Sequence, residues 1–150
     1  MTQTVWAHLP NAKHIDWVIA SLKVHPKKWA TSCLRSMAAW NAFDAARGVA
    51  RGVARDAVYT AACDAAYDAA CDAAGQVLYD VARDAAYDAA WDAALYAVWG
   101  TIAALIAYDD CAYMIESEVG ELKIIAAFGD PRAILLLPAC IVFNETKELA

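Results

Sequence analysis

The sequence predicts an all-α fold, on three observations. Alanine dominates a block of four-residue repeats from Phe43 to Val98, and alanine favours helix more than any other residue. Six glycines and four prolines are too few for an all-β sandwich with a turn at about every ten residues. Hydrophobic residues reach 61% and charged residues only 20%, which excludes a disordered chain. The 150 residues are read as one domain, with N-terminal helices over 10–42, a tetrad array over 43–100 and apolar helices over 101–150.

The first helix is expected to start at Pro10-Asn11. It carries Ile15, Val18, Ile19 and Leu22 on one face. His25-Pro26 ends it, because the residue before proline avoids the helical region. Pro26 suits the first turn of a second helix, with Trp29, Cys33, Met37 and Trp40 at 4-4-3 spacing.

In the array, the second position of the tetrad is Asp in nine of fourteen repeats, and the third and fourth are always Ala, Val or Leu. Four residues turn a helix by about 400°, so the tetrad drifts by about 40° per repeat. That excludes a heptad coiled coil, and one straight helix would spread its aspartates round the whole surface. One helix over 54–99 would also be about 69 Å long, against a radius of gyration near 15 Å for a compact domain of this size. The array must therefore break, with Gly48, Gly52, Gly75 and Gly100 as weak points. The expected form is a helical hairpin bent near Gly75-Gln76. Paired alanines let helices approach closely, and Asp44–Arg47 and Asp80–Arg83 are candidate i,i+3 ion pairs. So much alanine leaves few large apolar side chains per helix, which predicts a homo-oligomer.

A helix is expected to end near Asp109 to Met114. Another should run from about Glu118 to Phe128, with Ser117 as N-cap and Gly129 at C′. Asp130-Pro131 starts a final helix, apolar nearly all round at Ile134 to Leu137 and kinked at Pro138. The uncharged run Ala93–Tyr108 is sixteen residues, short of the about 20 that a membrane span needs. A buried core helix is expected there, and a membrane-active, holin-like protein is the alternative. Met1 to Trp6 has neither a basic stretch nor an apolar one, so a cytoplasmic location is expected. Five cysteines without a C-x-x-C spacing fit reduced thiols used as small hydrophobes.

Charge is uneven. The formal net charge is −6, which excludes a generally basic nucleic-acid binder, yet residues 1–55 hold eight Lys/Arg against two acids. Arg47, Arg51 and Arg55 fall at i, i+4, i+8, a cationic stripe if one helix carries all three. Such a stripe calls for an anion, either a phosphate or the aspartate face of another helix. Asp109 and Asp110 interrupt an apolar segment, so one of them is a candidate to face inward and accept hydrogen bonds from a ribose or a base. Trp91 and Trp99, with Tyr108, are candidates to stack on a nucleobase, against the plainer reading as core. Asp64, Asp68 and Asp72 lie at i,i+4 spacing, but the histidines lie far off in sequence and no metal or other cofactor is expected. No Gly-x-Ser-x-Gly, phosphate loop or Cys/His pairing points to an enzyme.

The Asp-Ala-Ala array, the segment Tyr108-Asp109-Asp110-Cys111-Ala112-Tyr113 and the segment Gly129-Asp130-Pro131 through Leu135-Leu136-Leu137-Pro138-Ala139 resemble small Ala-rich proteins of unknown function from tailed bacteriophages. That resemblance implies a phage accessory protein acting in the bacterial cytoplasm, and some such proteins sequester nucleotide immune signals. The expected function is non-enzymatic binding of a small anionic, nucleotide-like ligand. Arg47, Arg51 and Arg55 would hold phosphate, Trp91, Trp99 or Tyr108 would stack on the base, and Asp109 or Asp110 would orient the ribose. A module that docks a host protein through the Ala/Asp array is the other reading.

Overall fold

The computed structural model describes residues 4–77 and 85–147. Among these the chain is all-helical: α1 (Ala12–Val24), α2 (Pro26–Ser32), α3 (Met37–Gly52), α4 (Asp56–Val77), α5 (Ala85–Ala107), a 3₁₀ turn (Ala112–Glu116), α6 (Val119–Ala127) and α7 (Pro131–Thr146). Helix α5 is the hub and packs against α1, α2, α3, α4 and α7. Its Val98, Ile102, Ala103, Ala104, Leu105 and Ile106 are fully buried. Ala89–Ala107 is long and apolar enough to cross a membrane by length and composition, and most of it is buried inside this bundle.

Among the described residues no array aspartate is buried. Asp64, Asp68 and Asp72 of α4 are exposed, since two tetrad steps drift only about 80°. Ala62, Ala66, Ala69, Ala70 and Ala73 form the opposite, buried face. In α5 the aspartate pattern stops after the exposed Asp92, and Leu95, Val98 and Ile102 then turn into the core. Helices α4 and α5 run antiparallel. Trp99 Nε1 donates to the Cys63 carbonyl at 3.3 Å, and the Tyr67 and Trp91 rings meet 5.6 Å apart. Helix α4 continues through Gly75 and Gln76 to Val77, and the chain linking it to α5 lies outside the described residues. So does the Asp80–Arg83 pair.

Several expectations are corrected. Gly48 and Gly100 do not break their helices. A Cβ on Gly100 would sit 3.3 Å from Leu135 Cδ2 and 3.6 Å from Phe43 Cδ2, so this glycine admits α7 and α3 to the hub. The helix after Pro26 stops at Ser32. Ser36 caps a new helix by accepting from the Ala39 N–H at 3.1 Å, so Trp29 is buried while Met37 and Trp40 point to solvent. Helix α5 ends at Ala107, short of the expected Asp109. Ser117 does not cap α6; the N-cap is Glu118, and the Ser117 hydroxyl donates to the Tyr113 carbonyl at 3.2 Å. Gly129 at φ +90° and the Asp130-Pro131 start of α7 stand as expected, and α7 is buried from Ala133 to Cys140. All five cysteines are free thiols.

Candidate functional site

The three arginines do not share one helix. Helix α3 closes in a Schellman motif, with Ala54 N–H bonded to the Arg51 carbonyl (3.1 Å) and Arg55 N–H to the Ala50 carbonyl (2.8 Å). The left-handed position is filled by Ala54 at φ 58° rather than by glycine. This reversal carries Arg55 away from Arg47 and Arg51, to the C-terminal end of α5. There Nη1 donates to the Ile106 carbonyl (2.8 Å) and to Asp109 Oδ1 (2.6 Å), and Nη2 to Asp109 Oδ2 (3.4 Å).

The last carbonyls of a helix need partners from outside it, and α5 recruits them from across the chain. Asn11 Nδ2 donates to the carbonyls of Leu105 (2.8 Å) and Tyr108 (2.9 Å). The Cys111 thiol, pushed up to about 12 by burial, donates to the Tyr108 carbonyl at 3.1 Å. Asp110 receives Arg132 Nη1 at 3.3 Å. Arg132 also grips Asp130, which accepts from the Arg132 backbone N–H at 2.9 Å as the N-cap of α7. Tyr108, Asp109 and Asp110 thus sit in a joint that ties α1, the α3–α4 link, α5 and α7 together. Neither carboxylate is buried, and each holds an arginine instead of facing a pocket.

Trp99 and Trp91 line the α4–α5 seam. The Trp91 indole N–H is buried there without an acceptor. Arg51 is exposed, 3.8 Å from Asp56 across the end of α3, an ion pair of little energetic weight.

Arg47 has different surroundings. Its guanidinium lies over the rings of Phe43 (5.9 Å) and Tyr59 (5.7 Å). Phe43 meets Tyr59 edge to face at 6.5 Å and stacks on Tyr96 at 6.0 Å with the planes 17° apart. The Arg35 guanidinium lies over the Tyr96 ring, 5.6 Å from its centroid. Arg35, Tyr96, Phe43, Arg47 and Tyr59 form a ladder of three rings with an arginine on Tyr96 and another on Phe43 and Tyr59, joining the α2–α3 link, α3, α4 and α5. Neither Arg35 nor Arg47 forms an ion pair among the described residues. The expected Asp44–Arg47 pair does not form. Burial pushes the Tyr59 phenol up and the neighbouring Cys63 thiol up to about 12, so both stay protonated at neutral pH and offer hydrogen bonds rather than charge. A guanidinium on an aromatic face keeps its in-plane N–H donors free, which suits a phosphate or carboxylate.

The sequence pattern singles out Arg47 but not its ladder neighbours Arg35, Phe43, Tyr59 and Tyr96. The available signal was the i,i+4 step from Phe43 to Arg47 in the first tetrad position. Beside Tyr96 a cavity of about 10 Å³ lies between α3, α5 and α7, lined by Leu34, Gly100, Leu135 and Pro138. It holds about one water and not a nucleotide, whose pockets begin near 300 Å³. The ladder reaches the surface through its arginines: Arg35 and Arg47 are exposed, Tyr59 and Tyr96 half-buried and Phe43 buried. Among the described residues no three His, Cys, Asp or Glu side chains cluster to hold a metal. No protein-family model matches this chain, and no curated protein or solved structure matches it either.

Proposed function

We propose that this chain is a non-catalytic binding protein for a small anionic ligand with a planar ring, of nucleotide type, held on the arginine–aromatic ladder. The observation that carries this reading is Arg47, fixed over two rings with no carboxylate partner. Arg47 and Arg35 would hold the anionic group. The half-buried rims of Tyr59 and Tyr96 would take the ring. Arg55, Asp109 and Asp110 are left out of the site, since each is already engaged at the α5 joint. In the setting implied by the phage-like segments, the protein would sequester a nucleotide immune signal in the host cytoplasm. Calorimetric titration with ATP, cyclic di-AMP and cyclic ADP-ribose tests it. Binding at micromolar concentration that falls at least about tenfold in Arg47→Ala supports the reading. No heat with any of the three ends it.

A second reading, docking of a host protein, is favoured by α6. Only Leu122 of that helix is buried, while Ile124 and Phe128 lie one turn apart in solvent, Phe128 at 88% exposure. Stoichiometric co-purification with one host protein, lost in Phe128→Asp, would move the function there.

A further inference from the structure

We infer that the outer face of α3 is a self-association surface, on which a second copy of this chain lays its own α3 in antiparallel two-fold contact centred near Gly48. This goes beyond the ligand reading and does not depend on it. Inside the chain nothing explains the composition of this face. Met37, Trp40, Asn41, Asp44, Ala45, Gly48, Arg51 and Gly52 all lie in solvent. Trp40 is 55% exposed and Met37 74%, although a tryptophan and a methionine lose by facing water.

The glycines are the second unexplained feature. Gly48 and Gly52 fall at the tetrad position that is Asp in most other repeats. A Cβ on either would meet nothing within 4 Å, so packing within the chain does not require them. Neither has a positive φ, so backbone geometry does not require them either. Glycine inside a helix weakens it relative to alanine, and this chain uses alanine almost everywhere else in its repeats. A close approach of another backbone is the remaining physical use for a bare stretch at Gly48 and Gly52, flanked by an exposed tryptophan.

Charge selects a second copy as the occupant. An antiparallel pairing about Gly48 brings residues whose numbers sum to about 96 opposite one another. Asp44 of one copy then lies beside Arg51 and Gly52 of the other, and the two-fold axis makes that contact twice. Asp44 has no ion pair within the described chain, and Arg51 has only its long exposed contact with Asp56. Trp40 lies at the rim, where Val53 of the second copy, 52% exposed, comes within reach. A single helix crossing buries less than the ~800 Å² per partner of a standard interface, so association in the micromolar range is expected.

Sedimentation equilibrium at about 100 µM protein tests this. The expected result is twice the 16.2 kDa chain mass. Gly48→Leu puts a good helix former on an exposed site, so its circular dichroism should show no loss of helix while its mass falls to that of one chain. Asp44→Arg should weaken association at least about tenfold, and Asp44→Arg with Arg51→Asp should restore it. A wild-type mass of one chain at this concentration, or a mass above two, overturns the proposal. So does a Gly48→Leu protein that stays dimeric, and so does a charge exchange that fails to restore the pair.

Discussion

Two arginine-rich regions of this molecule use one chemistry to different ends. At the α5 joint, Arg55 and Arg132 are bound to carboxylates and, for Arg55, to a helix-end carbonyl. On the α3 ladder, Arg35 and Arg47 rest on rings and carry no carboxylate. The difference follows from what each region has to satisfy. The end of α5 exposes carbonyls that must be paired, and donors are drawn from residues 51 and 94 positions away in sequence. The middle of α3 has its backbone paired within the helix, so Arg47 is not needed for that purpose. An arginine is read as available for a ligand by what its neighbours already demand, not by its spacing.

The largest expected effect falls on the joint. Arg55→Ala leaves the Ile106 carbonyl and Asp109 without their donor, and a lost hydrogen bond to a charged group costs about 1.5–3 kcal/mol. Asn11→Ala removes two bonds from a side chain that is almost wholly buried, with a similar cost of about 2 kcal/mol. Urea unfolding curves measure both. If Arg55→Ala is as stable as the wild type, the joint is ornamental and the contrast between the two regions fails.

Asp130 gives a smaller effect with a pH signature. Its carboxyl is held below the usual range because the Arg132 guanidinium donates to it. This part of the stability is fully present above the unfolded value of about 3.9, and it is lost as pH falls through the depressed folded value. Asp130→Asn keeps an N-cap but loses the ion pair. Its deficit against the wild type should be constant above about pH 5 and should close on acidification toward pH 2. Asp130→Ala should cost about 1 kcal/mol through the cap alone. A deficit that grows on acidification would contradict this assignment.

Much of the fold was legible because local chemistry agreed with it. Proline after His25, the Gly129-Asp130-Pro131 run and the apolar circumference of α7 each mark their element without help from elsewhere. What escaped depended on distant partners. Met37 and Trp40 keep the helical spacing of Trp29 and Cys33, yet Ser36 caps a new helix between them. Asn11 sits where an N-cap belongs and sends its amide to α5 instead. Asp109 and Asp110 interrupt an apolar segment, a signal the sequence carries, but their partners Arg55 and Arg132 come from the α3–α4 link and the start of α7. The ladder was half legible. Its α3 rungs fall in the tetrad frame, while Arg35 and Tyr96 join it only through packing.

Ala54 tests why Arg55 leaves the stripe. A left-handed alanine is strained by its Cβ, and glycine is the usual residue at this position of a Schellman motif. Ala54→Gly should therefore stabilise the protein by about 0.5–1 kcal/mol, less the extra entropy of a glycine in the unfolded chain. Thermal unfolding would show it as a rise in Tm, and a fall would mean that the turn after α3 is held by something other than its own dihedral angles.

The smallest expected change in stability is the most informative for the ladder. Arg47→Ala removes two cation–π contacts on an exposed residue and places a better helix former in α3. The net loss should be about 0.5 kcal/mol or less. The same substitution should abolish nucleotide binding if the ladder is the site. Arg55→Ala should show the converse, a large loss of stability with ligand affinity kept in the folded fraction. Measuring unfolding and binding on both variants separates an arginine that builds the fold from one left over for a partner. Equal destabilisation by the two would place Arg47 in the framework as well, and the ladder would then be a packing device rather than a site.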